Sequence, residues 1–191
     1  MRIATHGNDL VGLALDEGWS RVERHLRRWF REEQIRAADA PREAVRRLDA
    51  YLTGDLDALN GIAVDPRGTG FQRSVWTAVQ DVPAGQVLSY TDLARGAGAA
   101  NATRAVGTAC GANPIWLVIP CHRIVRADGS LGDYGDNPER KQWLLAHERL
   151  YRETGPAPLR EHAAERARNR AIKQLERLGH KVILEPLPQV A

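Results

Sequence analysis

The sequence predicts an α/β (α+β) protein in which a small sheet-plus-helix lobe precedes a mostly helical domain carrying a helix-turn-helix. Three observations predict it. Short apolar runs and segments of helical period share residues 1–66. From Gly68 onward the periodicity is largely helical. Turn signals such as Pro83-Ala84-Gly85 and Gly96-Ala97-Gly98 divide the helical part into short pieces. A chain of 191 residues suits one comfortable domain or two small ones, and the texture divides it into 1–66, 67–153 and a C-terminal extension, 154–191.

In the first lobe, apolar stretches such as Leu10-Val11-Gly12-Leu13-Ala14-Leu15 read as strands. One helix is expected from about Trp19, with Val22, Leu26, Trp29 and Phe30 inward. A second is expected from Pro41, with Val45, Leu48 and Leu52 inward and Gly54 at its end. No chemical motif falls here, so the lobe reads as support.

In the next helix Phe71, Val75 and Val79 share one face, with Gln72 and Trp76 stacked on a neighbouring one. Between Ser89 and Asn113 a short helix ends near Arg95, and a second runs from about Asn101 or Ala102 to Gly111, which is helix-turn-helix spacing. At about 100° per residue, Ala102, Ala105, Val106, Ala109 and Cys110 fall on an apolar half. Thr103, Arg104, Gly107, Thr108 and Gly111 form the other half. Glycine on a solvated helix face is unfavourable by about 1 kcal/mol relative to alanine, so something must gain from the smallness. A nucleic-acid backbone would, approached by main-chain N–H groups and threonine hydroxyls beside the single long side chain of Arg104. A tightly packed neighbouring helix would too, and spacing alone leaves both open. The same wheel assigns Cys110 to packing.

The net charge of +3 and the two cysteines bound the function classes. A mildly basic chain permits nucleic-acid binding without showing it. Cys110 and Cys121 form no CxxC pair, so neither a disulfide framework nor a structural zinc site follows, and no metal is expected. No run approaches the roughly 18 apolar residues of a membrane span, and Met1-Arg2-Ile3-Ala4-Thr5-His6 lacks a signal-peptide pattern, so a cytoplasmic protein is expected.

The apolar, β-branched run Ile115-Trp116-Leu117-Val118-Ile119, ended by Pro120, reads as a buried strand or extended segment that delivers Cys121. A thiol reacts as its thiolate and needs a base or a positive field nearby. His122 and Arg123 are the adjacent candidates. Neighbouring side chains on extended backbone diverge, so contact between Cys121 and His122 requires a turn or a bridging water. A carboxylate should orient the imidazole; Glu148, in a helix expected over Lys141 to Leu150, is one of several that spacing allows.

Taken together, Gly68-Thr69-Gly70-Phe71-Gln72 with Val75-Trp76, Ser89-Tyr90 with Leu93-Ala94, Arg104-Ala105-Val106-Gly107, Asn113-Pro114 and Ile119-Pro120-Cys121-His122-Arg123-Ile124 closely resemble the O6-alkylguanine-DNA alkyltransferase family. Gly132, Tyr134, Lys141, Trp143-Leu144-Leu145 and His147-Glu148 continue the resemblance, which covers about 80 residues in order. It implies DNA repair by irreversible, stoichiometric transfer of an alkyl group from O6-alkylguanine, or O4-alkylthymine, to Cys121, without a cofactor. The partner it implies is double-stranded DNA carrying alkylated guanine. The helix-turn-helix would enter the minor groove, the damaged nucleotide would flip out, and Arg104 would fill its place, with Thr103, Ala105, Gly107, Thr108 and Arg123 at the DNA. Tyr90 would press on the neighbouring phosphate and assist protonation of the departing guanine. His122, oriented by Glu148, would take the thiol proton through a water while Asn113 braces the site. The carbonyls of Cys121 and Ile124 would read the guanine amino group, with Tyr134 and Gly135 lining the pocket.

Gly70 stands where the family motif usually has proline, and no cysteine-rich element accompanies the first lobe. The extension offers a basic helix around Leu159 to Leu178 and an apolar run Val182-Ile183-Leu184. Packing on the catalytic domain, self-association, an added DNA contact and simple disorder stay open for it, and no obligate protein partner is expected. The competing functions are a non-catalytic lesion sensor, which would lack the nucleophile, and a cysteine hydrolase, which would need an oxyanion hole.

Overall fold

The computed structural model of the protein describes residues 1–135 and 137–148. Strands β1 (Arg2–His6) and β2 (Asp9–Ala14) pair antiparallel around Gly7-Asn8, where Gly7 takes a φ of 58°. β2 is covered on both faces, which is why its sequence is continuously apolar rather than alternating. Val11 and Ala14 pack against Val22 and Leu26 of helix α1 (Asp16–Trp29), while Leu10 and Leu13 join the main core. Gly12 is fixed by the close approach of α1, since a Cβ there would meet Val22 at 2.6 Å.

Helix α1 begins three residues before the expected Trp19, and Trp29 and Phe30 are only partly buried. Helix α2 (Arg42–Leu52) buries Leu48 as expected but turns Tyr51 inward in place of Val45 and Leu52. Val45 and Leu52 are 45% and 42% exposed, whereas Leu48 and Tyr51 are buried. A buried tyrosine needs a partner for its hydroxyl, and Tyr51 has one in Glu148, so the ring displaces the smaller aliphatics from the core face. Gly54, at a φ of 113°, follows the helix end.

Helix α3 (Gly70–Gln80) starts with a capping box in which Thr69 and Gln72 exchange side-chain and backbone hydrogen bonds. The box supplies the start that the missing proline leaves to Gly70. Val75, Trp76 and Val79 are buried, while Phe71, expected with them, is exposed. After the turn at Gly85 come β3 (Leu88–Ser89), α4 (Tyr90–Gly96) and α5 (Thr103–Gly111). A 3₁₀ turn (Cys121–Arg123), β4 (Ile124–Val125) and α6 (Pro138–His147) complete the described part. β3 and β4 pair in parallel, Leu88 beside Ile124 and Ser89 beside Val125, which sets the start of α4 beside the residues that leave β4 after the Cys121 turn.

The mixed α/β class expected from the sequence is therefore present, as two small sheets with six helices among the described residues. The core is continuous across the lobes: Leu10, Leu13, Leu48 and Tyr51 pack in one cluster with Trp76, Leu93, Ile115 and Ile119. The run from Ile115 to Ile119 is not a strand. Only Ile115 bridges Leu13; the chain then turns back, with Leu117 at a φ of 68° and the Ile119 N–H donating to the Ile115 carbonyl. Its β-branched side chains are satisfied by burial, and the Trp116 N–H by the Leu13 carbonyl. Among the described residues no helix is long and apolar enough to cross a membrane. The helix and apolar run expected in the extension lie outside the described residues, as does the expected helix end at Leu150.

Candidate active site

Helix α5 is fixed to the core by Trp76, whose indole N–H donates to the Ala109 carbonyl at 2.8 Å. Val106, Ala109 and Cys110 face inward, as the helical wheel requires. Ala105, expected with them, is exposed and joins Arg104, Thr108 and Gly111 on the outer face. Among the described residues the smallness of that face serves no packing. A Cβ on Gly111 would meet nothing, and one on Gly107 would come no closer than 4.0 Å to the Tyr90 ring.

The turn after α5 is braced by Asn113. Its Oδ1 accepts from the Ile115 N–H at 2.9 Å, and its Nδ2 donates to the Ile119 carbonyl at 2.8 Å and to the Cys121 sulfur at 3.3 Å. Cys121 opens the 3₁₀ turn and is 5% exposed. The neighbouring Cys110 thiol and burial push the Cys121 thiol up; Asn113 and the charge of Lys141 act the other way. Cys110 is thus more than the packing residue the wheel suggested. It lines the same cleft as Cys121.

Behind the sulfur lies a buried charge cluster. Glu148 caps the C-terminal end of α6 and is held by three separate segments: Tyr51 of α2, the Gly85 turn and the His122-Arg123 pair of the 3₁₀ turn. Its Oε1 accepts from the Tyr51 hydroxyl at 2.7 Å, from Arg123 Nη2 at 2.8 Å and from His122 Nε2 at 2.9 Å. Its Oε2 accepts from Arg123 Nε at 3.0 Å and the Gly85 N–H at 3.4 Å. Burial opposes ionisation of Glu148, but the hydrogen bonds and charges of His122 and Arg123 outweigh it and hold the carboxyl well below its usual range. His122 is held low chiefly by burial, against the pull of Glu148. A neutral imidazole beside a carboxylate gives its Nε2 proton to that hydrogen bond. Its Nδ1 then carries the lone pair, and Nδ1 is buried without a hydrogen-bond partner among the described residues.

Arg123, expected at the DNA, is buried in this cluster and also donates from Nη1 to the Val82 carbonyl at 2.6 Å, so it is a structural partner of Glu148. Ile124 is fully buried, and its carbonyl, expected to read the guanine, accepts from Lys141 Nζ. Lys141 has no exposed surface; burial lowers it to about 8, partly offset by the two thiols, and its ammonium lies 5.8 Å from the centre of the Tyr90 ring. Nothing local in the sequence assigns Lys141 a role. The signal was a lysine on the inward face of α6 with Leu144 and Leu145.

In front of the sulfur a cleft of about 650 Å³ opens to the surface. It gathers Cys121, Asn113, Tyr90, Thr103, Arg104, Gly107, Thr108, Tyr134 and Gly135 of the expected set. Burial raises Tyr90 to about 12, so its hydroxyl keeps its proton. Gly132, at a φ of 68°, lets the following loop lie against the Tyr90 ring, where a Cβ would stand 3.3 Å away. Ala105, His122, Arg123, Ile124 and Glu148 do not line the cleft. Arg21 of α1 and Arg126 do, and were missed; Arg21 carries no local signal, since only the docking of the lobe brings it there. Among the described residues no group of His, Cys, Asp and Glu could hold a metal.

Comparison with known proteins adds the following. The family model described as "6-O-methylguanine DNA methyltransferase, DNA binding domain" matches residues 70–150. A Salmonella typhimurium methylated-DNA–protein-cysteine methyltransferase is 41% identical over 130 residues, covering 67% of this chain and 76% of the relative. The Mycolicibacterium paratuberculosis protein of the same name is 50% identical over 108 residues, which span 56% of this chain and 65% of that protein's length. The crystal structure of Mycobacterium tuberculosis OGT in complex with DNA superimposes with a TM-score of 0.61 at 36% identity, covering 76% of this chain and 84% of that one.

Proposed function

The chain belongs to the methylated-DNA–protein-cysteine methyltransferase family, and from that footing we propose that it repairs DNA by moving the alkyl group of O6-alkylguanine irreversibly onto Cys121. The observation that carries the assignment of the nucleophile is the combination behind it: a neutral His122 whose Nε2–H is taken by Glu148 and whose Nδ1 lone pair has no partner among the described residues.

The proton on Cys121 passes through a bridging water to His122 Nδ1 as the sulfur lone pair attacks the alkyl carbon. The carbon–O6 bond breaks, its electrons return to the guanine ring, and the ring takes up a proton with the Tyr90 hydroxyl assisting. Lys141 favours the developing thiolate by its charge, and Asn113 by its hydrogen bond. The imidazolium formed is stabilised by Glu148, which does not itself need to accept the proton. The thioether product has no good leaving group, so each molecule reacts once.

DNA is the partner. Helices α4 and α5 act as the helix-turn-helix, and the outer face of α5, whose glycines no neighbour among the described residues requires, lies against the minor-groove backbone. Arg104 fills the stack after the damaged base flips into the cleft. In this reading residues 1–66 support, residues 67–153 carry the DNA surface and nucleophile, and residues 154–191 are an extension to both.

Intact-protein mass after incubation with duplex DNA bearing one O6-methylguanine tests the assignment. The wild type should gain the mass of one methylene and Cys121→Ala nothing, while both bind DNA. Binding without any mass gain in the wild type would favour a lesion sensor.

A further inference from the structure

We propose that Tyr51, contributed by the lobe that reads as mere support, is a positioning residue of the transfer reaction: its hydroxyl fixes Glu148 and so sets how strongly His122 accepts the thiol proton. The role rests on the assignment of Cys121 and His122 given above.

The Tyr51 hydroxyl donates to the same Glu148 oxygen that His122 and Arg123 use, and the ring has no exposed surface. A phenylalanine would fill the same space without placing a hydroxyl in a dry interior, where an unbonded polar group is costly. Two further contacts fix the tyrosine against the end of α6. The His147 Nε2–H donates to the Tyr51 carbonyl at 2.7 Å, and the two rings meet edge-on at 5.2 Å. Glu148 follows directly at the C-terminal cap of that helix, where the helix dipole disfavours an anion. Donors from outside the helix must therefore hold the carboxylate, and Tyr51 is the one supplied by α2.

An ionised carboxylate offers about four acceptor directions over its two oxygens, and Oε1 serves three close partners. Each partner takes a share of its charge. Without the Tyr51 hydroxyl, more of that charge falls on His122, the imidazolium is favoured and the imidazole protonates at higher pH. Transfer needs the neutral ring, so the acid limb of the rate profile should rise with it. The other groups facing the pair are Arg123, Lys141, Cys121, His147 and Tyr134, whose ring lies 6.3 Å from that of His122. None is altered by Tyr51→Phe.

The test compares wild type and Tyr51→Phe by two readouts: the pH profile of single-turnover transfer to Cys121, and the His122 titration followed by NMR in the unreacted protein. Both midpoints should move up by about half a pH unit or more, the scale expected when a charged acceptor loses one hydrogen bond. Unchanged midpoints with only a lowered unfolding temperature would overturn the proposal. Should Tyr51→Phe fail to fold, fluorination of the Tyr51 ring at carbon 3 keeps ring and hydroxyl while strengthening the donor. The His122 midpoint must then move down, and no movement overturns the proposal. Absence of transfer in the wild type would count against the function of Cys121, whereas the His122 titration decides the role of Tyr51 alone.

Discussion

Behind Cys121, the side chains of Tyr51, His122, Arg123 and Glu148 are buried and bonded to one another; in front of it, the outer face of α5 exposes Arg104, Thr108 and Gly111 to solvent. The first region is dry, so each charge there depends on a specific partner and a change of one atom is felt by all. The second is solvated and makes few internal contacts, so its side chains are free to serve an outside partner. Substitutions behind the sulfur should therefore disturb stability and proton transfer together, and substitutions in front should disturb DNA handling alone.

Glu148→Gln should break the comparison most visibly. It leaves the buried Arg123 guanidinium without its counter-charge, a loss of about 3–5 kcal/mol for a buried pair. The pH dependence identifies the cause. The folded-state pKa of Glu148 lies below its ordinary 4.5, so its contribution is present above 4.5 and lost as the pH falls through the lower folded value. His122 is also held below its ordinary 6.5, so protonation of the unfolded chain erodes stability below 6.5, and more deeply in the variant, where the upward pull of Glu148 on His122 is lost. Urea unfolding should show a wide gap between the two proteins at neutral pH that narrows below pH 4.5. A gap constant with pH would mean that the charge of Glu148 is not what holds the cluster.

Arg104→Ala sharpens the other side. Arg104 is exposed in the first turn of α5, where no side chain caps the helix, and its removal should change stability by no more than about 0.5 kcal/mol. Transfer from duplex DNA should fall by about tenfold or more, the size of one lost contact of roughly 1.4 kcal/mol, while transfer from free O6-methylguanine stays near the wild-type rate. Equal loss on both substrates would remove Arg104 from base flipping.

The two regions were not equally legible in the sequence. The front was readable because helical period alone sorts α5 into an inner and an outer half, and the outer half matched apart from Ala105. The back depends on contacts distant in sequence, so local pattern failed there. The apolar period of α2 selected Val45 and Leu52, but the partner that draws Tyr51 inward lies 97 residues away. The family resemblance put Arg123 at the DNA, whereas the 3₁₀ turn rotates its guanidinium into the core. β-branched composition suggested a strand at Ile115 to Ile119, where burial and a left-handed Leu117 make a turn instead. The resemblance to a family brought Glu148 forward; spacing could not.

Cys110 sits where the two regions meet, on the inner half of α5 yet lining the cleft, and its effect should be the smallest. Its thiol, together with burial, holds the Cys121 thiol up. Removing it in Cys110→Ala should let Cys121 ionise at lower pH. The small void left by one sulfur should lower stability by only about 1 kcal/mol. Thiolate absorbance should then rise at lower pH than in the wild type, and transfer near neutral pH should quicken by about twofold to threefold, a change of well under 1 kcal/mol in barrier. An unshifted thiolate titration would return Cys110 to packing. A shift without faster transfer would mean that thiol ionisation does not limit the reaction, and that the slow step lies on the DNA side, in front of the sulfur.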